Sequence, residues 1–127
     1  MKKLWILLLL ALPLLAQNYA QEDKTKQAIV KIHVVSKVPN YLEPWASSIR
    51  RSSGSGAIIS QNRILTNAHV VANQTFIEVQ RYGERKRYIA KVLSVSHQAD
   101  MALLEVEDKS FFEGVAPLEL GELPRIE

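Results

Sequence analysis

The sequence predicts an all-β fold, an antiparallel barrel or sandwich, and three observations carry that expectation. Short β-rich runs recur along the chain, and two of them, "AIVKIHVVSKV" and "RKRYIAKVLSVS", alternate in the manner of a strand. Tight polar or glycine-bearing turns separate them. Almost no segment carries the apolar period of a helix, which leaves six or seven short strands to build one core.

The elements follow in order. In "AIVKIHVVSKV" (Ala28–Val38), Val30, Ile32 and Val34 alternate with Lys31, His33 and Val35, the pattern of a half-buried strand. "PNYLEPWASSIRRSSGSG" reads as a loop, with Pro39, Pro44, several serines and glycines, and with Tyr41 and Trp45 able to pin it by packing. "GAIIS" and "RILT" flank Gln61-Asn62, which predicts a hairpin. "NAHVVAN" allows a single helical turn at most, and "TFIEVQRY" is the next strand. After a turn at Gly83-Glu84, "RKRYIAKVLSVS" places Tyr88, Ala90 and Val92 on one side of a strand. "HQAD" is a turn, "MALLEVE" a strand, "KSFFEG" a short loop or helical turn, and "APLELGELP" ends in loop residues.

Composition sets limits on function. The 127 residues allow one small domain or part of a larger one, and 47% apolar content suits a packed core. Lys2 and Lys3 supply two of the net +3 charges, so the body of the chain is too weakly basic to argue for nucleic acid. Arg81, Arg85, Lys86 and Arg87 read as a solvated hairpin loop. With no cysteine, disulfides, thiolate-zinc sites and a cysteine nucleophile are excluded. Residues 1–20 read as a secretory signal peptide: a positive start, the apolar run Leu4–Ala16, then small residues at Ala16 and Ala20, either of which suits cleavage. The competing reading is a membrane anchor, for which Leu4–Ala16 is short against the ~20 residues of a span. The chain is therefore expected to be exported, periplasmic or secreted.

Three histidines are candidates for chemistry, and none has the spacing of a helical metal pair. His33 lies in a strand among valines and reads as structural or surface; His97 lies in a turn and reads as surface. His69 sits in a turn of small residues just after a strand, where its ring would stand at a rim. A lone histidine is more often structural than catalytic, so a partner is required. Asp100 precedes the apolar strand "MALLEV", where a carboxylate is either a turn former or a fixed acceptor. As an Asp–His pair, the carboxylate would take the imidazole Nδ1–H and leave Nε2 as a base. Spacing alone makes this a weak signal.

"GSGAIIS" (Gly54–Ser60), "RILTNAHVV" (Arg63–Val71) and "DMALLEV" (Asp100–Val106), in this order, resemble the amino-terminal half of the HtrA/Deg serine proteases, within the chymotrypsin-like class. The resemblance runs from about Ile29 to Leu123 and looks closest to the plant-type Deg branch and its bacterial relatives. It implies an antiparallel β-barrel, the first of two, with residues 21–127 as an incomplete protease domain. It implies His69 as general base and Asp100 as the residue orienting the imidazole. It implies that Gly54 and Gly56 let their strand pass close to its neighbours, and that Ala68 and Val70 pack the histidine turn.

The resemblance also implies a nucleophilic serine in a Gly-x-Ser-Gly-Gly turn of a second barrel, and no such turn occurs here. The cluster "SSGSG" (Ser52–Gly56) precedes His69, so Ser53 and Ser55 are poor nucleophile candidates. Thr66 reads as a hydrogen-bonding turn residue. The expected function is that of the N-terminal part of an exported serine endopeptidase acting on unfolded or misfolded polypeptides, inactive alone and without cofactor or metal. Homo-oligomers are expected of the complete protein. The alternative is a non-catalytic exported barrel that binds or regulates. A barrel cut from its partner would present an apolar face near His69 and Asp100.

Overall fold

A computed structural model describes residues 19–60 and 62–125. The expected signal peptide lies outside the described residues except for its last two positions. Those belong to a helix described over 19–28, which the strand-rich pattern did not predict. Its sequence explains it: "QEDKTKQ" is made largely of good helix formers. Glu22 pairs with Lys26 one turn on at 2.7 Å, an exposed pair that lowers the Glu22 carboxyl and raises the Lys26 ammonium. Only Ala28, at the helix end, is buried.

Six strands close into an antiparallel barrel, in the order β1-β2-β3-β6-β5-β4. They are β1 (Ile29–Pro39), β2 (Ser47–Ile59), β3 (Arg63–Thr66), β4 (Gln74–Arg81), β5 (Arg87–Ser96) and β6 (Met101–Val106). The alternation read in the sequence sets which side chains point inward. Val30, Ile32 and Val34 of β1 meet Ile77 and Val79 of β4, Ile58 of β2, Ile64 of β3 and Leu104 of β6 in one core. Tyr88 and Ala90 are buried as expected, and Val92 is half-buried against the same core. Register shifts at Val35/Ser36 and Val92/Ser94 mark bulges, the bends a small barrel needs to close. A 3-10 turn, Lys109–Phe112, buries Phe111 completely, with its ring edge-on to Tyr88 at 5.0 Å between centroids. The Asp108 side chain caps this turn by accepting from Ser110 N–H at 3.0 Å.

The main correction concerns residues 47–56, read from sequence as loop. They belong to β2, which pairs with every residue of β1, from Ile29↔Ala57 to Pro39↔Ser47. The outer part of this ribbon, Ser47–Arg51, is exposed on every residue, so its polar Ser and Arg side chains leave no apolar alternation to read. The true loop is confined to residues 40–46. Tyr41 and Trp45 do not pin it; both rings stand in solvent, 90% and 85% exposed.

Gly54 and Gly56 do let β2 pass close to its neighbours. A Cβ on Gly56 would lie 2.8 Å from Ile64 Cγ2 and 2.9 Å from Ile32 Cδ1, inside the core. A Cβ on Gly54 would lie 2.6 Å from Val70 Cγ1, so this glycine makes room for the turn that carries His69.

Candidate active site

The site forms because β3 and β6 are neighbours. Pairing of Thr66 with Ala102 sets the end of β3 beside the start of β6, and so brings His69 next to Asp100 across a long stretch of sequence. Thr66 is the hydrogen-bonding residue expected: its hydroxyl donates to Ser55 C=O at 2.8 Å and pins the end of β3 to β2. Asn67 stays extended, and Ala68–Val70 then make one 3-10 turn, with Ala68 buried as its anchor. Val70 packs against the core and over Gly54. His69, between two anchored residues, is left projecting, with 71% of its side chain exposed.

Asp100 closes the turn after β5, its N–H donating to His97 C=O at 3.4 Å. It takes a left-handed backbone, φ 49°, a conformation that aspartate tolerates better than most residues. Its carboxylate faces the histidine turn. Oδ2 lies 2.7 Å from His69 Nδ1, and Oδ1 accepts His69 N–H at 2.9 Å. The Asn67 amide donates to Oδ2 and to Asp100 C=O, both at 3.2 Å. These donors favour the charged form, so the Asp100 carboxyl sits below its ordinary value. The His69 N–H is the main cause, the ring and Asn67 adding to it.

A carboxylate on Nδ1 orients the ring and selects the tautomer that presents Nε2 as an acceptor. Among the described residues Nε2 has no hydrogen-bond partner, and no serine or threonine hydroxyl reaches the ring. His69 forms one wall of a groove whose other wall is Ser52–Ser55. On the outer barrel face, Ile29, Ala57 and Leu65 stand in one row by register. With Met101 they line an apolar groove that reaches Asn67. The groove is lined by neither His69 nor Asp100, only by their neighbours Asn67 and Met101.

The other sequence candidates fall elsewhere. His33 Nε2 pairs with Gln80 Oε1 at 2.9 Å on the outer wall, a structural role. His97 is exposed in its turn. Of the basic cluster, Arg85, Lys86 and Arg87 are exposed while Arg81 is half-buried on β4, and three of the four are paired: Arg81 with Glu84, Lys86 with Asp108 and Arg87 with Glu78. Asn67 is the site residue the sequence reading missed. Its signal was present: an amide just before the histidine turn, at a position where asparagine usually caps.

A closed antiparallel barrel with an Asp–His pair at the junction of its third and sixth strands defines the class as chymotrypsin-like. The family profile of the trypsin-like peptidase domain matches residues 54–126, and the chain belongs to that family. The curated relatives it resembles are Do-like proteases. The mitochondrial Do-like protease 3 of Arabidopsis thaliana is 44% identical over 106 residues, 83% of this chain and 19% of the relative. The mitochondrial Do-like protease 4 of the same plant is 41% identical over 106 residues, 83% of this chain and 20% of the relative. The chain thus spans about a fifth of the length of these two curated relatives. Among solved structures, an HtrA-type protease with a decapeptide superposes with a TM-score of 0.65 at 22% identity, over 78% of this chain and 34% of that one. A protease of M. tuberculosis in its active form superposes with a TM-score of 0.60 at 27% identity, over 80% of this chain and 38% of that one.

Proposed function

We propose that this chain is the N-terminal barrel of an exported serine endopeptidase that hydrolyses unfolded or misfolded polypeptides. His69 is its general base and Asp100 the carboxylate that orients it. The observation that carries the reading is the 2.7 Å contact between His69 Nδ1 and Asp100 Oδ2, which leaves Nε2 free.

The chemistry follows from that atom. Nε2 takes the proton of a serine hydroxyl as its oxygen attacks the scissile carbonyl, then returns it to the leaving amine. Asp100 stabilises the imidazolium formed between these steps. The attacking oxygen and the oxyanion donors come from a second barrel, and the apolar row Ile29, Ala57 and Leu65 with Met101 is the surface on which that barrel packs. Without it the Asp–His pair has nothing to activate. Residues 1–20 serve as the export signal, and residues 21–127 as the barrel.

The test has two arms. Residues 21–127 alone should leave unfolded casein intact. The protein carrying this chain joined to a Gly-x-Ser-Gly-Gly barrel should cleave it and lose the activity in His69→Ala. In that protein Asp100→Asn should lower kcat by about 10⁴-fold, the scale known for this substitution in a Ser-His-Asp triad. Turnover by the isolated chain that depends on His69 would overturn the assignment of the nucleophile. A longer protein whose proteolysis survives His69→Ala would leave a binding or regulatory barrel.

A further inference from the structure

We infer that Asn67 is a positioning residue of the His69–Asp100 pair: its amide holds the Asp100 carboxylate and backbone in the one orientation that serves the imidazole. The inference rests on the reading of His69 as the base, but its experiment reads the clamp directly, without turnover.

Asparagine is among the preferred N-cap residues because its side-chain oxygen accepts an N–H of the first turn. Asn67 stands at the N-cap of the Ala68–Val70 turn, yet its side chain caps nothing. The capping comes from the turn before β6, since Asp100 Oδ1 accepts His69 N–H at 2.9 Å. The Asn67 amide is thereby released, and Nδ2 donates to Asp100 Oδ2 and to Asp100 C=O, each at 3.2 Å. Serine or aspartate at 67 would cap as well. Serine carries a single O–H donor, and an ionised aspartate carries none. Only the amide offers two N–H bonds from one nitrogen.

Asp100 needs this support. A left-handed backbone at a non-glycine residue is held by its surroundings, and Asp100 has φ 49°. Its carboxylate is 46% exposed, and rotation about the terminal torsion of aspartate is soft. The His69 N–H holds Oδ1 at 2.9 Å, but the only His69 group on Oδ2 is the ring, which the carboxylate has to fix. Asn67 holds Oδ2 independently of the ring. By gripping a side-chain oxygen and the carbonyl of the same residue, it ties the carboxylate's rotation to the backbone turn. The amide also adds to the lowering of the Asp100 carboxyl, in the same direction as His69.

The experiment is an NMR titration of the Asp100 carboxyl carbon in the full chain, with the low-field His69 Nδ1 proton as a second readout. Wild type is compared with Asn67→Ala, Asn67→Leu and Asn67→Gln. Leucine has nearly the shape of asparagine without its donors; glutamine keeps the amide. Asp100 should titrate at higher pH in the Ala and Leu variants, with the Nδ1 proton broadened by exchange in both. Gln should recover part of the effect, and the Ile64 and Leu104 methyl signals should stay in place. Wild-type titration in both Ala and Leu would overturn the proposal, as would recovery by Leu, which marks a space-filling role. If the Ala variant fails to fold, the Leu and Gln pair still decides. Failure of the catalytic reading is a separate result: proteolysis that survives His69→Ala leaves this titration unchanged.

Discussion

Ile64 and His69 are near neighbours in sequence and belong to different physical regimes. Ile64 is fully buried in the barrel, held by contacts that depend on shape and volume. His69 has most of its ring in water, held by an orienting carboxylate and the turn beneath it. The barrel interior is where stability is stored, and the rim is where geometry is set. The contrast teaches that the two are joined at few points. One is Thr66, whose hydroxyl ties β3 to β2, and another is Val70, which packs on the core and over Gly54. Damage to the core should unfold everything, while damage at the rim should disorder the pair and spare the fold.

The largest effect should come from the interior. Phe111 is completely buried and packs edge-on against both Tyr88 and Phe112. Phe111→Ala should destabilise the chain by about 3–5 kcal/mol, the usual range for a buried phenylalanine, and possession of an intact rim should not soften the loss. Urea denaturation followed by circular dichroism measures it. A loss within about 0.5 kcal/mol, the scale of surface changes, would break the contrast, because the 3-10 turn would then be decoration on the barrel.

The joint between the regimes should give an intermediate effect. Gly54→Ala sets a methyl 2.6 Å from Val70 Cγ1 and 2.9 Å from Val70 Cγ2, closer than real contacts allow. Overpacking of this kind costs about 1–3 kcal/mol, and here the strain enters the turn that carries His69. Gly54→Ala with Val70→Ala should recover part of the loss, and a double-mutant cycle on urea midpoints reads the coupling. Additive losses would mean that the barrel and the turn are less closely joined than the contact implies.

Much of this division was legible before the structure. Alternation marked the inward residues of β1 and β5, and these fill the core or pack against it. The ordered segments around His69 and Asp100 pointed to the pair, which the β3–β6 pairing brings together. What could not be read shares one cause: burial leaves a periodic trace, and solvent-exposed order does not. The outer half of β2 is ordered by backbone pairing to β1 with no buried side chain, so it looked like a loop. Helix 19–28 is ordered by local propensity with only Ala28 buried. Asn67 was overlooked because its partner lies in a turn distant in sequence and its bonds are exposed.

The smallest effect should be electrostatic, at the rim itself. Hydrogen bonds from His69 and Asn67 hold the folded-state Asp100 carboxyl below its unfolded value. A carboxyl lowered in this way adds stability that is fully present above the unfolded value, near pH 3.9 for aspartate, and lost as pH falls through the lower folded value. Asp100→Asn removes that contribution while leaving the buried residues untouched. Wild type should therefore exceed Asp100→Asn by a constant, small margin at neutral pH, and the margin should shrink in the acid range. Urea midpoints of both chains across pH measure it. The margin stays small because the carboxylate is nearly half exposed and water competes for every bond it makes. A margin as large as that of Phe111→Ala would mean that the pair holds the barrel together. One that does not change with pH would mean that the carboxylate's charge is not what the rim uses.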